Sequence, residues 1–161
     1  MPIYLKFDKD AIKGESRSKG FEGQIPVDGV QFGCGRGISV VGGGTSRETS
    51  KASFSEVTFS KATDISSADL MIQACIGKSL ISATLSWVNS GGTDNDNQVY
   101  QTVTLSHPIV SSYSQSSQGD RPMESFSLNF DKIEFFYQGW DGNAKTTNHK
   151  KTYNVATGEA S

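Results

Sequence analysis

A two-residue hydrophobic period runs through most of this chain, and it limits the possible folds more than any other feature. Ile3, Leu5 and Phe7 alternate with Tyr4 and Lys6, and Ile81, Ala83, Leu85 and Trp87 alternate with Ser82, Thr84 and Ser86. Val99, Val103 and Leu105 alternate with Tyr100, Thr102 and Thr104. Successive side chains of a strand point to opposite faces, so this pattern belongs to strands buried on one side.

Two of these runs change register part-way. Phe126, Leu128 and Phe130 hold the even positions, whereas Ile133, Phe135 and Tyr137 hold the odd ones. The slip at Asp131-Lys132 suggests a β-bulge that bends one long strand, as closure of a barrel requires. A similar slip near Asp28-Gly29 separates Ile25 and Val27 from Val30 and Phe32. The stretch GGTDNDN, residues 91–97, is expected to be the loop of a hairpin.

One segment has a different period. In TDISSADLMIQACIGK, Thr63, Asp64, Ser66 and Ser67 are candidate caps, and Gly77 followed by Lys78 is the expected stop. The spacing predicts a short α-helix over about 65–77. Ile65, Ala68, Ile72, Cys75 and Ile76 share one face, while Leu70 and Ala74 lie nearly opposite. A short helix that is apolar on two sides touches the barrel with one and something else with the other. Leu70 and Ala74 are the expected interface residues. The resulting picture is a mainly β chain: a barrel of roughly eight or nine antiparallel strands, one short helix and a long extended loop at 33–50. It forms a single domain over 1–161, ending in a polar tail from about 141.

Composition agrees with one packed domain. With 161 residues, 35% of them hydrophobic, such a chain buries about 70% of its surface on folding. A net charge of −2, spread along the chain, offers no basic face for nucleic acid. The one basic cluster, Lys145, His149, Lys150 and Lys151, is expected to be a solvated part of the tail. Cys34 and Cys75 form no Cys-x-x-Cys pair, so zinc and thioredoxin-type chemistry lack support, and two thiols suit a reducing compartment. MPIYLKFDKD is not a secretory signal, and no stretch approaches the ~20 apolar residues of a membrane-spanning helix. Folding in the cytoplasm and no membrane insertion are therefore expected.

The residues that would carry catalysis or bind a metal are not in place. His107 stands before Pro108 at a strand end and His149 in the polar C-terminal stretch, neither beside a nucleophile signature. An EF-hand loop beginning at Asp94 needs glycine at 99 and glutamate at 105, where the chain has Val99 and Leu105. The expectation is no enzyme, no cofactor and no metal.

The stretch FGCGRGISVVGGGTSRETS, residues 32–50, has six glycines in its first thirteen positions. Gly37 to Gly42 has the first spacing of a phosphate-binding loop, but Gly43-Gly44 follow where Lys and Ser or Thr are required. A dinucleotide fingerprint from Gly33 and Gly35 needs a third glycine where Ile38 stands, and no helix pattern follows to offer its positive end. Ile38, Val40 and Val41 also set the stretch apart from a free linker. An apolar centre between flexible ends is expected to dock on something. The contact residues would be Ile38, Val40 and Val41, with Gly42, Gly43 and Gly44 permitting bends and close backbone approach.

Several motifs occur in a fixed order along the chain. They begin with Tyr4-Leu5-Lys6-Phe7, Ile12-Lys13-Gly14-Glu15-Ser16 and Lys19-Gly20-Phe21-Glu22-Gly23 before Ile25-Pro26-Val27. Phe59-Ser60-Lys61-Ala62-Thr63-Asp64 opens the helix and Ala74-Cys75-Ile76-Gly77-Lys78 closes it. Val110-Ser111-Ser112-Tyr113, Asp120 to Ser125 and Asn129 to Glu134 complete the set. In this order and at these spacings the chain resembles the Hcp family, whose members form the inner tube of the bacterial type VI secretion system. The chain departs from the family pattern at Val30-Gln31-Phe32-Gly33, where many relatives carry Trp-x-Trp-Gly, and in the glycine-rich loop.

The resemblance implies a homohexameric ring. Rings stack into a hollow tube that contractile sheath proteins propel, with a VgrG-type spike at its tip and effector proteins in its pore. It also implies export without a signal peptide. The outer face of some barrel strands then forms the pore wall, and Gln31, flanked by inward Val30 and Phe32, is the pore-lining candidate. Two alternatives differ in class: a phage-like tail tube protein, and an enzyme or sugar-binding barrel, the latter only if a small-molecule site emerges.

Overall fold

The computed structural model describes residues 1–40, 47–91 and 97–161. The strands are β1 (Ile3–Phe7), β2 (Ile25–Val27), β3 (Gly29–Gln31), β4 (Cys34–Gly35), β5 (Ile38–Val40), β6 (Arg47–Thr49), β7 (Ser53–Phe54) and β8 (Val57–Ala62). After the helix α1 (Ser66–Ile76) come β9 (Ser82–Ser90), β10 (Asn97–Ser106), β11 (Ile109–Ser116), β12 (Met123–Asn129), β13 (Lys132–Asp141), β14 (Ala144–Asn154) and β15 (Glu159–Ala160). All pairings are antiparallel. One sheet has the order β15-β14-β13-β10-β9-β1-β2 and the other β11-β12-β8-β3, while β4-β7 and β5-β6 form two-stranded ribbons. Counting β2 and β3 as one bent strand, the barrel strands are β1, β2–β3 and β8 to β14, which makes nine.

The alternating residues form the core. Leu5, Phe7, Ala83, Leu85, Val103 and Leu105 from the larger sheet meet Val57, Phe59, Phe126 and Leu128 from the smaller one. Phe59 and Phe126, cross-strand partners, stack with ring centroids 4.7 Å apart. Val99 departs from the expected register. A bulge between Val99 and Gln101 turns it to the outer face of the large sheet, where it packs with Tyr4, Phe21 and Val88.

Both register slips are corners at which the chain changes sheet, not bulges within one strand. β12 lies in the smaller sheet and β13 in the larger one. Likewise β2 pairs with β1, whereas β3 pairs with β8. At the second corner the Asp28 N–H donates to Ser60 O at 2.9 Å. A Cβ on Gly29 would stand 2.7 Å from Ser60 Oγ, so a larger residue there would make the Ser60 hydroxyl turn away. Strands that switch sheets at bends are how two sheets share one core.

The region from 141 onward is not a tail. β14 pairs with β13 from Asp141↔Ala144 to Lys132↔Asn154, and Tyr153 and Val155 pack against the core. From Ala144 to Lys151 the strand is exposed on both faces, so hydrophobic alternation is absent although the backbone pairs with β13, with one register shift between Gln138 and Trp140. β9 and β10 pair as the expected hairpin, and its loop residues 92–96 lie outside the described residues.

Candidate functional site

The glycine-rich stretch is the outgoing half of a long β-ribbon. Its root is apolar: Phe32 and Phe54 pack against the core, and Phe54 lies 5.1 Å from the Tyr153 ring. Farther out, three serines clasp three glycines. Ser55 N–H donates to Gly33 O and Gly33 N–H to Ser55 Oγ, both at 2.9 Å. Ser53 Oγ reaches Gly35 O at 3.4 Å, and Gly37 N–H donates to Ser50 Oγ at 2.7 Å. Beyond the clasps, β5 and β6 pair with Ile38 opposite Thr49, Ser39 opposite Glu48 and Val40 opposite Arg47. Cross-strand partners share a face, so Ile38, Val40, Thr49 and Arg47 lie on one side and Ser39 and Glu48 on the other. Ile38 is 61% exposed and Val40 67%. Val41, Gly42, Gly43 and Gly44 lie outside the described residues.

The helix reverses one expectation. Leu70 is fully buried in the core and Ala74 packs against it, so this pair seats α1 on the barrel and is not its outward interface. The outward side carries Ile65, Ile72 and Ile76, at 62%, 48% and 63% exposure. Helical spacing separates two apolar sides equally well whichever of them faces the core, which is why the pattern left this open.

A buried polar cluster anchors the helix start. Lys61, 1% exposed on β8, places its ammonium 2.7 Å from Asp64 Oδ1 and 2.5 Å from Glu124 Oε1 on β12. Asp64 Oδ1 also accepts from Ser66 N–H at 2.9 Å, satisfying an otherwise open donor of the first turn. Tyr113 on β11 donates its hydroxyl to Glu124 Oε2 at 2.8 Å. Burial, then this hydrogen bond and the Glu124 charge, push the Tyr113 pKa up to about 12. At the far end Gly77, with φ 67°, sends its N–H back to Gln73 O at 2.8 Å and ends the helix as expected.

Gln31 is exposed, while Val30 and Phe32 pack against the core, in agreement with the expected register. It sits opposite Thr58, and the neighbouring pairs on that outer face are Thr58↔Ser127, Ser60↔Ser125, Ser125↔Ser114 and Ser127↔Ser112. This part of the outer face carries hydroxyls and one amide, while Met123, 44% exposed, lies farther along the same face and the Glu56 carboxylate accepts from Ser111 Oγ at 2.7 Å beside Ser127. Sequence reasoning found Gln31 but not the face around it, because the serines lie on strands far apart in the chain. The alternation grouped Phe135 and Tyr137 with buried Ile133, but they are 40% and 48% exposed on β13, opposite Lys151 and His149 of β14.

Residues 4–137 match the family model described as type VI secretion system effector, Hcp. Protein hcp1 of Pseudomonas aeruginosa is 35% identical over 91 residues, covering 55% of this chain and 54% of that protein, so the match spans about half of the relative. A solved structure of a type six secretion system protein is 24% identical, covers 99% of both chains and superimposes with a TM-score of 0.88. Hcp1 from Salmonella typhimurium is 22% identical, covers 99% of this chain and 97% of its own, with a TM-score of 0.77. At such identities the structural likeness speaks for the fold, and the match of the family model over 4–137 speaks for descent. This chain belongs to the Hcp family of type VI secretion proteins.

Proposed function

We propose that this protein is a structural tube subunit: six copies close into a ring, and rings stack into a hollow tube that a contractile sheath propels behind a VgrG-type spike. The observation that carries this reading is the backbone-paired ribbon of β5 and β6, which holds Ile38 and Val40 out in solvent on one face. Stranding two large aliphatic side chains on a projecting ribbon is costly unless a partner covers them. The outward isoleucines of α1 form a second apolar surface at a different place. Two different patches suit heterologous contacts, which give a closed ring when the rotation closes and a stack when they continue along an axis. The arm is the contact to the next ring.

The hydroxyl-lined outer face around Gln31 is the pore wall. Hydroxyls and amides offer donors and acceptors to many polypeptide surfaces without selecting a charge, which suits the carriage of varied effectors. The subunit folds in the cytoplasm and leaves it as part of the tube. Negative-stain electron microscopy of the purified protein tests the reading. Six-fold rings are expected, and a monomer that persists at micromolar concentration would overturn it.

A further inference from the structure

The arm is built in two parts whose registers differ by one residue. In the inner ribbon Gly35 pairs with Ser53, and in the outer ribbon Ile38 pairs with Thr49. Three steps along the outgoing strand therefore match four along the return strand. Ser50 N–H donates to Gly37 O at 2.9 Å, so the extra residue falls at Lys51-Ala52, opposite Arg36. Two residues against one make a β-bulge, which bends the strand that carries it. The two parts are held differently. The inner ribbon grows from Phe32 and Phe54, which pack against the core. The described residues farther out, 36–40 and 47–51, are all exposed. A ribbon joined to the barrel through one bulge, with its hydrogen bonds in solvent, moves at low cost.

The bulge itself is tethered to the barrel. Lys51 Nζ donates to Ala156 O, in the β14–β15 turn, at 3.1 Å. That turn is fixed in place. Ala156 N–H and Thr157 N–H donate to Asn154 Oδ1 at 2.9 and 3.1 Å, and Val155 N–H donates to Asp131 O at 2.8 Å. Val155 also packs against the core. The lysine stem passes close by: a Cβ on Gly158, whose φ is +77°, would stand 3.0 Å from Lys51 Cε.

We propose that the arm pivots at Lys51-Ala52 and that Lys51 is its positioning residue, aiming the outer ribbon at the next ring. This rests on the reading of the arm as the ring-to-ring contact. A ribbon that is already aimed loses less conformational freedom on docking, so the tether favours stacking. One charged hydrogen bond at the surface is weak, which leaves the arm able to turn as rings meet.

Pulsed electron–electron distance measurement on the purified protein tests the pivot. Spin labels go on Ser39→Cys in the outer ribbon and Lys6→Cys on β1, with Cys34→Ser and Cys75→Ser removing the native thiols. Excess unlabelled protein keeps one labelled subunit in each oligomer. A single narrow distance is expected, broadened or split in Lys51→Met and restored in Lys51→Arg, which keeps a cationic donor. Lys51→Met should also raise the concentration at which tubes appear by about threefold or more, with ring size and thermal melt unchanged. An unchanged distance distribution in Lys51→Met, one equally broad in Lys51→Arg, or tubes at the parent concentration would each overturn the proposal. If the parent forms neither rings nor tubes, the tube reading falls, and the distances still decide the pivot.

Discussion

Lys61 stands between two carboxylates, Asp64 and Glu124, with 1% of its side chain exposed, and its charge balances theirs. Removing one member of such a cluster strands the others without water, which costs about 3–5 kcal/mol. Lys61→Met should therefore lower stability by that amount in urea denaturation, while a surface lysine such as Lys150 changed in the same way should cost under ~0.5 kcal/mol. Tyr113 makes the same cluster sensitive at high pH. Its folded pKa is raised to about 12 above an ordinary value of 10, so the folded state holds its proton where the unfolded state has lost it. The stabilisation is complete below pH ~10 and is lost as pH rises through ~12. Denaturation midpoints measured across that window should fall less steeply in Tyr113→Phe than in the parent protein. Neither residue could be singled out from the sequence: Lys61 falls in a strand as an ordinary polar position, and Glu124, 63 residues away, becomes its partner only when β8 pairs with β12.

The arm is the element whose prediction separates folding from assembly most cleanly. Ile38 and Val40 are exposed, and their ribbon is held by backbone pairing and by Ser50, Ser53 and Ser55. Replacing both aliphatic residues with Asp should change subunit stability by less than about 0.5 kcal/mol, because surface substitutions of this kind touch no core contact. Tube formation should nevertheless be lost, as read from electron microscopy of concentrated protein. Unaltered stacking would remove the arm from the ring-to-ring contact. The helix teaches the complementary lesson. Its ends were legible from Asp64 and Gly77, but Leu70 and Ala74 face the core while Ile72 and Ile76 face outward. The core residues that bury Leu70 and Ala74 lie on strands elsewhere in the chain, which the helix sequence alone does not contain.

For the whole molecule, the prediction concerns charge on the hydroxyl-lined face. In a closed ring, Gln31→Glu repeats one negative charge in every subunit around the pore. The exposed position keeps the substitution from disturbing the fold. Acidic effectors should co-purify less with this variant, with basic ones unaffected or enriched, while ring size in mass photometry stays the same. Unchanged cargo across the set would count against a lumen at this face. The two-residue period was enough to establish a mainly β chain, and the capped sixteen-residue segment was enough to establish one helix. The matched motifs pointed to the family, since those signals are carried by side chains read in order. Tertiary structure alone decided that the slips near Asp28 and Asp131 are passages between sheets, and that Ala144–Asn154 is a strand. It also decided that scattered serines form one face beside Gln31. The physical reason is that strand pairing is made by the backbone, which is the same at every residue. A side-chain pattern records which face a residue takes but not which strand lies beside it.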